Sequence, residues 1–107
     1  MKGLVFLGSS RDDLRAMSAG IRHALGVELM RVQLGGEPTD FKPMSNVGTG
    51  AYEIRVRDAT GAFRVIYVAK FSDAIYVLHA FQKKTQKTAK GDLELAMKRY
   101  KLIGGES

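Results

Sequence analysis

The chain has 107 residues, 45% of them apolar and 26% charged, a size and composition typical of one small globular domain and not of a disordered segment. It contains no cysteine, which excludes a disulfide framework and a thiolate zinc site and suits the reducing cytoplasm. The formal net charge is +6, and residues 51–107 carry eleven Lys and Arg against six acids, so we expect an anionic partner for this half.

The apolar runs indicate neither an export signal nor a membrane segment. The first ten residues, MKGLVFLGSS, hold one Lys and an apolar run too short for the core of a signal peptide. No run approaches the roughly 20 apolar residues that a membrane span requires. We therefore expect a cytoplasmic protein with no membrane partner.

The first half of the chain predicts a strand, two helices and a loop. Ser10 with Asp13 three residues later signals the start of a brief helix. Apolar residues then recur at helical spacing straight through Gly26, which favours one helix, although Gly costs about 1 kcal/mol against Ala and a break there is the alternative. The predicted elements are a strand at 3–7, helices at 10–16 and 18–34, and a loop at 36–50.

The second half predicts three strands and a final helix. Residues 52–58 alternate, and residues 63–71 are so rich in Val, Ile, Tyr and Phe that they should form the central strand. A third strand is expected at 74–81 and a helix at about 91–103. The order β, α, α, β, β, β, α predicts one α+β domain over residues 1–107, with helices on one face of an antiparallel meander and the other face open.

Three arginines are expected on that open face. If Ile54 and Val56 point into the core, Arg55 and Arg57 point out, and Arg64 interrupts the apolar run of the next strand. Like charges on paired strands repel unless an anion lies between them. Because guanidinium groups bind phosphate through two parallel hydrogen bonds, the pattern predicts a phosphodiester ligand.

A lysine segment, residues 83–90, follows the last predicted strand. It places Lys83, Lys84, Lys87 and Lys90 within eight residues and contains no acid. Such a segment is either a solvated loop or a binding surface for a polyanion such as nucleic acid. No metal site is predicted, since Asp12, Asp13 and His23 lack ligand spacing.

A family resemblance is carried by the run VGTGAYEIRVRDATGAFRVIYVAKFSDAIYVLHAFQKKTQKTAKGDLELAMKRY, above all by its pieces EIRVR, FRVIY and LHAFQKKTQKT. This run resembles the phage-derived, HigB-like branch of the RelE/ParE toxin superfamily. The resemblance implies a RelE-like fold and the toxin of a type II toxin-antitoxin pair. It implies an endoribonuclease that cuts mRNA on the ribosome through 2′-OH attack on the phosphodiester, needs no cofactor, and is silenced by a helix-turn-helix, HigA-like antitoxin.

The same resemblance implies roles for individual residues. The catalytic set would be Arg55, Arg64 and Lys84, with Arg57 and Lys83 beside them as RNA contacts. The charge of the lysine segment adds Lys87 and Lys90 as further expected RNA contacts. Two positions depart from ribosome-dependent RelE members: Glu53 stands where they carry a lysine, and Lys90 falls near the position of a base-stacking tyrosine. The general base stays open among Lys84, Glu53 and His79, the groups able to accept a proton near neutrality.

Each of these interpretations has an alternative. Arg64 could be a structural ion-pair partner of Glu53. His79 could be a half-buried sheet residue, because it shares strand parity with Ile75, Val77 and Phe81. At the level of function, the alternatives are a ParE-like toxin that binds DNA gyrase without catalysis and a phage accessory protein that binds nucleic acid without cutting it.

Overall fold

The computed structural model describes residues 1–103, so the predicted domain span of 1–107 extends beyond the described part. Within that part, none of the helices has the length and apolar character needed to cross a bilayer. The architecture is α+β, with three helices and one five-stranded sheet in the described residues. In chain order the elements are β1 Gly3–Phe6, α1 Ser10–Arg15, α2 Ala19–Gln33, β2 Phe41–Pro43, β3 Ala51–Asp58, β4 Gly61–Val68, β5 Ala74–Lys83 and α3 Lys90–Tyr100.

The sheet has the order β1-β5-β4-β3-β2, which places β4 at its centre as predicted. The meander β3-β4-β5 is antiparallel, which confirms the prediction for these three strands. The N-terminal strand β1 pairs parallel with β5, so the sheet as a whole is mixed. β2 lies inside the segment predicted as loop. It is too short to show alternation, and its Pro43, which has no N–H to donate, is compatible with an edge strand.

Helix α2 runs unbroken through Gly26, as predicted. Ser18 caps it by accepting a hydrogen bond from the backbone N–H of Ile21 at 3.5 Å. Gly26 is exposed, and a Cβ added there would meet nothing within 4 Å, so the glycine interrupts no packing. The apolar stripe of the helix is buried on the sheet through Ile21, Leu25, Leu29 and Val32.

The sheet is covered on both faces, which corrects the prediction of one open face. Helices α1 and α2 enclose a core on one face, around Ile54 and Val65. Helix α3 and the turn after β2 enclose a second core on the other face, around Ile66 and Leu78. Because α3 and this turn leave one end of the second face uncovered, the open surface is confined to that end of β3 and β4.

Two side chains at the end of α3 attach the helix to distant parts of the chain. Arg99 donates to the carbonyl of Leu78 at 2.9 Å and to the hydroxyl of Ser9 at 3.0 Å. Tyr100 donates to the carbonyl of Thr49 at 2.7 Å. Gly8 has a φ of 56°, and a Cβ there would lie 2.4 Å from Arg99 Nε, so only glycine fits beside this arginine.

Candidate functional site

The uncovered end of the sheet brings the three predicted arginines together. Arg55 of β3 lies directly opposite Arg64 of β4, and one pair further along Arg57 lies opposite Ala62, whose other neighbour is Lys83 of β5. The alternation predicted for β3 is confirmed, because Ile54 is fully buried on the α2 face while these cations occupy the α3 face. Adjacent strands therefore hold four cationic side chains on one small area.

Arg64 is paired with a carboxylate beneath this surface. Its Nε lies 3.4 Å from Glu53 Oε1, and the two residues are 4% and 0% exposed. Neither of these two atoms has a hydrogen-bond partner among the described residues, so the contact is an ion pair and not a hydrogen bond. The ion pair with Glu53 that was the alternative interpretation of Arg64 is therefore present, and this pair holds the guanidinium group in place.

Other groups hold the pair on both sides. Arg64 Nη1 donates to the carbonyl of Phe63 at 3.1 Å, and Thr88 of the lysine segment donates to Glu53 Oε2 at 3.1 Å. Burial lowers the pKa of Arg64, and the Glu53 carboxylate opposes this shift. Even with a lowered pKa an arginine keeps its charge near neutral pH, so Arg64 presents a fixed positive charge.

The three arginines line two cavities at the surface. The first, of about 350 Å³, is lined by all three together with Asp40 and Val56. The second, of about 500 Å³, we call the basic cavity. Among the described residues its lining contains five cations and no carboxylate: Arg55, Arg57, Ala62, Arg64, Lys83, Lys84, Thr85 and Gln86. Such a lining concentrates positive potential where a phosphate group could enter.

The lysine segment divides between this cavity and its surroundings. Lys83, the last residue of β5, is half-buried, and Lys84 is exposed. Burial lowers the pKa of Lys83, and the charge of Arg64 lowers it further. Lys87 lines a neighbouring cleft, whereas Lys90 is exposed at the first residue of α3 and lines none of these cavities. The four lysines of the segment therefore do not line one common cavity.

Glu53 and His79, the two other candidates for proton transfer, lie outside the basic cavity. Glu53 is sealed between Arg64 and Thr88. His79 is 5% exposed, with Nε2 at 2.7 Å from Asp92 Oδ1 of α3. A register irregularity in the β4–β5 pairing turns His79 to the α3 face, so its predicted parity with Ile75 and Val77 was wrong. Its predicted parity with Phe81 is confirmed, and the two rings stack. Lysine is the remaining residue type at the cavity that can accept a proton.

Three residues of this region were missed in the sequence. Asp40 precedes β2, and its carbonyl accepts from Arg55 N–H at 2.9 Å. Thr88 and Asp92 make the contacts to Glu53 and His79 described above. Thr88 and Asp92 are short polar residues in or just after the lysine segment. Hydrophobic periodicity does not indicate which distant residue a polar side chain will contact, so these two pairings could not be predicted from the sequence.

The fold and the site define a small α+β protein with a cationic cavity at one end of its sheet. A model of the phage-derived Gp49-like protein family (DUF891) matches residues 12–101. The chain belongs to this family, which is RelE-like and toxin-like. No curated protein matches the chain.

Proposed function

We propose that this protein is the toxin of a type II toxin-antitoxin pair, of the HigB-like branch, and that it cleaves mRNA on the ribosome. The observation that carries the proposal is the lining of the basic cavity, where Arg55, Arg57, Arg64, Lys83 and Lys84 converge. Five cations together attract a polyanion such as an RNA backbone, and guanidinium groups bind its phosphodiesters through paired hydrogen bonds.

The reaction is an attack by the 2′-oxygen of a ribose on the adjacent phosphorus. A new P–O2′ bond forms, the P–O5′ bond breaks, and the products are a 2′,3′-cyclic phosphate and a 5′-hydroxyl. Negative charge increases on the phosphoryl oxygens in the transition state. Arg55 and Arg64, held on paired strands, stabilise that charge without reorganising, while Lys84 lies near the leaving oxygen and donates its proton.

Lys83 is the group that best suits removal of the proton from the 2′-hydroxyl. It lines the basic cavity, and its lowered pKa increases the fraction of neutral amine at a given pH. Lys84 was the lysine expected to act as base from the sequence. The lowered pKa and partial burial of Lys83 favour assigning the base to Lys83 and the acid to Lys84.

The proposed partner is a helix-turn-helix, HigA-like antitoxin. A cationic site of this kind attracts an acidic or amphipathic segment, and occupation of the basic cavity by such a segment would exclude RNA. Co-expression with the product of the neighbouring gene, followed by co-purification, tests this partner.

Binding of RNA without cleavage is the second candidate function. It is favoured by the placement of Glu53 and His79, which are buried and engaged outside the basic cavity. Under this alternative the cations bind the RNA backbone and the protein blocks access to it instead of cutting it.

The experiment is induction in a bacterial host with mapping of mRNA 5′ ends, for the wild type, Arg55→Ala and a matched control, Arg11→Ala, at an exposed position of α1. Arg55 is half-buried, and no carboxylate among the described residues lies within ion-pair distance of it, so Arg55→Ala leaves the Glu53 pair intact. We expect cuts in phase with codons for the wild type and the control and none for Arg55→Ala. Growth arrest with intact mRNA would reject cleavage, and inhibited supercoiling in that case would indicate a gyrase-binding toxin.

A further inference from the structure

A second cleft, of about 460 Å³, adjoins the basic cavity and shares Arg55, Lys83 and Gln86 with it. One of its sides is the end of β2 and the following turn, with Met44 and Asn46. The opposite side is the later part of the lysine segment and the first turn of α3. We call this space the amide cleft, after the side chains of Asn46 and Gln86.

Hydrogen bonds hold both sides of the amide cleft in place. Met44 is 4% exposed, its N–H donates to the carbonyl of Ala51 at 2.8 Å, and its own carbonyl accepts from Val47 N–H at 2.9 Å. On the other side, Thr88 is attached to buried Glu53 by its hydroxyl. The cleft is therefore a preformed space and not a gap between two free loops.

The lining of the amide cleft combines three kinds of group. Leu93, which is half-buried, offers most of the apolar surface, and Met44 adds only its small exposed part. Lys42 and Lys87 add cations to those of the shared boundary. Asn46 and Gln86 are exposed, and neither side chain hydrogen-bonds to another residue within 1–103. Each amide thus keeps two N–H donors and one carbonyl acceptor free for a ligand.

This combination matches a nucleobase attached to a phosphate that lies at the boundary. An inorganic phosphate or a sulfate would use the cations and leave the apolar surface and the amides without a role. A base, in contrast, presents flat apolar faces and an edge of donors and acceptors that amide side chains can bind. The base must be unpaired, because pairing occupies that edge in a duplex.

We infer that the amide cleft is a base-binding subsite for the nucleotide of single-stranded RNA next to the phosphodiester held in the basic cavity, with Asn46 and Gln86 selecting the base. The inference rests on the proposed function for its substrate class. It extends that proposal by naming the residues that determine which sequence is bound.

The test measures binding of RNA that cannot be cut, so it does not depend on cleavage. The probes are fluorescent 2′-O-methyl oligouridine hexamers in which one central position is U, A, C, G or an abasic residue, measured by anisotropy at low salt. We expect the wild type to bind the preferred base at least about fivefold more tightly than the abasic probe, the size of effect of one good base contact.

Asn46→Ala and Gln86→Ala are expected to reduce that ratio to below about twofold. Asn46 lies outside the basic cavity, so Asn46→Ala should also retain the affinity for the abasic probe. Ser45→Ala, an exposed neighbour outside the cleft, is the matched control and keeps the wild-type ratio. Equal affinity of the wild type for all five probes, absence of RNA binding, or full discrimination by both variants would overturn the inference. Discrimination without any mRNA cleavage in cells would overturn the nuclease and leave the subsite standing.

Discussion

Arg55 and Arg64 are direct cross-strand partners, but only Arg64 has a counter-ion. The Glu53 carboxylate lies within ion-pair distance of Arg64, whereas no carboxylate among residues 1–103 lies within that distance of Arg55. Two guanidinium groups facing each other across a β-ladder repel, and a single buried carboxylate compensates half of that charge. The remaining positive charge is at the surface, in the cavities that Arg55 and Arg64 share. An anion bound there lowers the electrostatic free energy of the folded protein.

Removal of the Glu53 charge should destabilise the protein. Glu53→Gln leaves Arg64 buried without its counter-ion, and we expect a loss of about 3 kcal/mol in the free energy of unfolding. Urea denaturation measures it, with exposed Glu94→Gln as control. A double variant, Glu53→Met with Arg64→Met, should recover much of the loss. A change below about 0.5 kcal/mol for Glu53→Gln would show that the ion pair does not position Arg64.

Cleavage should depend on pH through Lys83. Its folded pKa lies below the ordinary value of 10.5, and a base acts in its deprotonated form, so the rate should rise with pH until that pKa is reached. Lys83→Arg keeps the charge but does not deprotonate, and we expect a fall in rate of about a hundredfold with a flat pH profile. Single-turnover cleavage on programmed ribosomes between pH 6 and 9 measures both. An unchanged profile in Lys83→Arg would assign the base elsewhere.

RNA binding should lose salt dependence when a phosphate-contacting lysine is neutralised. The slope of log affinity against log salt concentration is negative, and we expect Lys84→Gln and Lys87→Gln each to reduce its magnitude by about 0.7. This is the value for the loss of one phosphate contact with a single-stranded nucleic acid. Anisotropy titrations at several salt concentrations provide the slopes. Arg11→Gln, on α1 and away from both cavities, should leave the slope unchanged. An equal slope in all three variants would place the RNA away from the lysine segment.

Helix α3 should be loosened by loss of its arginine anchor. Arg99→Met removes the hydrogen bonds to Leu78 and Ser9 and leaves the buried carbonyl of Leu78 without that donor, a cost of about 2 kcal/mol. Hydrogen exchange should show faster exchange of the α3 amides, while α2 stays protected. Exposed Lys98→Met is the control, since it changes the same charge one residue away. Uniform loss of protection over the whole chain would indicate global destabilisation instead.

The arginine pattern and most elements could be predicted because they follow from local periodicity. Side chains alternate along a strand, so Arg55 and Arg57 lie on the same face of β3 independently of the tertiary structure. The hairpin after Asp58 then places Arg64 opposite Arg55. Helix α2 could also be predicted from the sequence. Burial of its apolar stripe stabilises the helix by more than the one exposed glycine destabilises it.

The tertiary structure alone decided how much of that arginine face is open and what neutralises it. The contacts responsible join residues far apart in the chain: Thr88 with Glu53, 35 positions apart, and Arg99 with Ser9, 90 positions apart. Local propensity carries no information about such pairings. They arise when α3 and the turn after β2 pack on the same face of the sheet and leave the charged end of β3 and β4 uncovered.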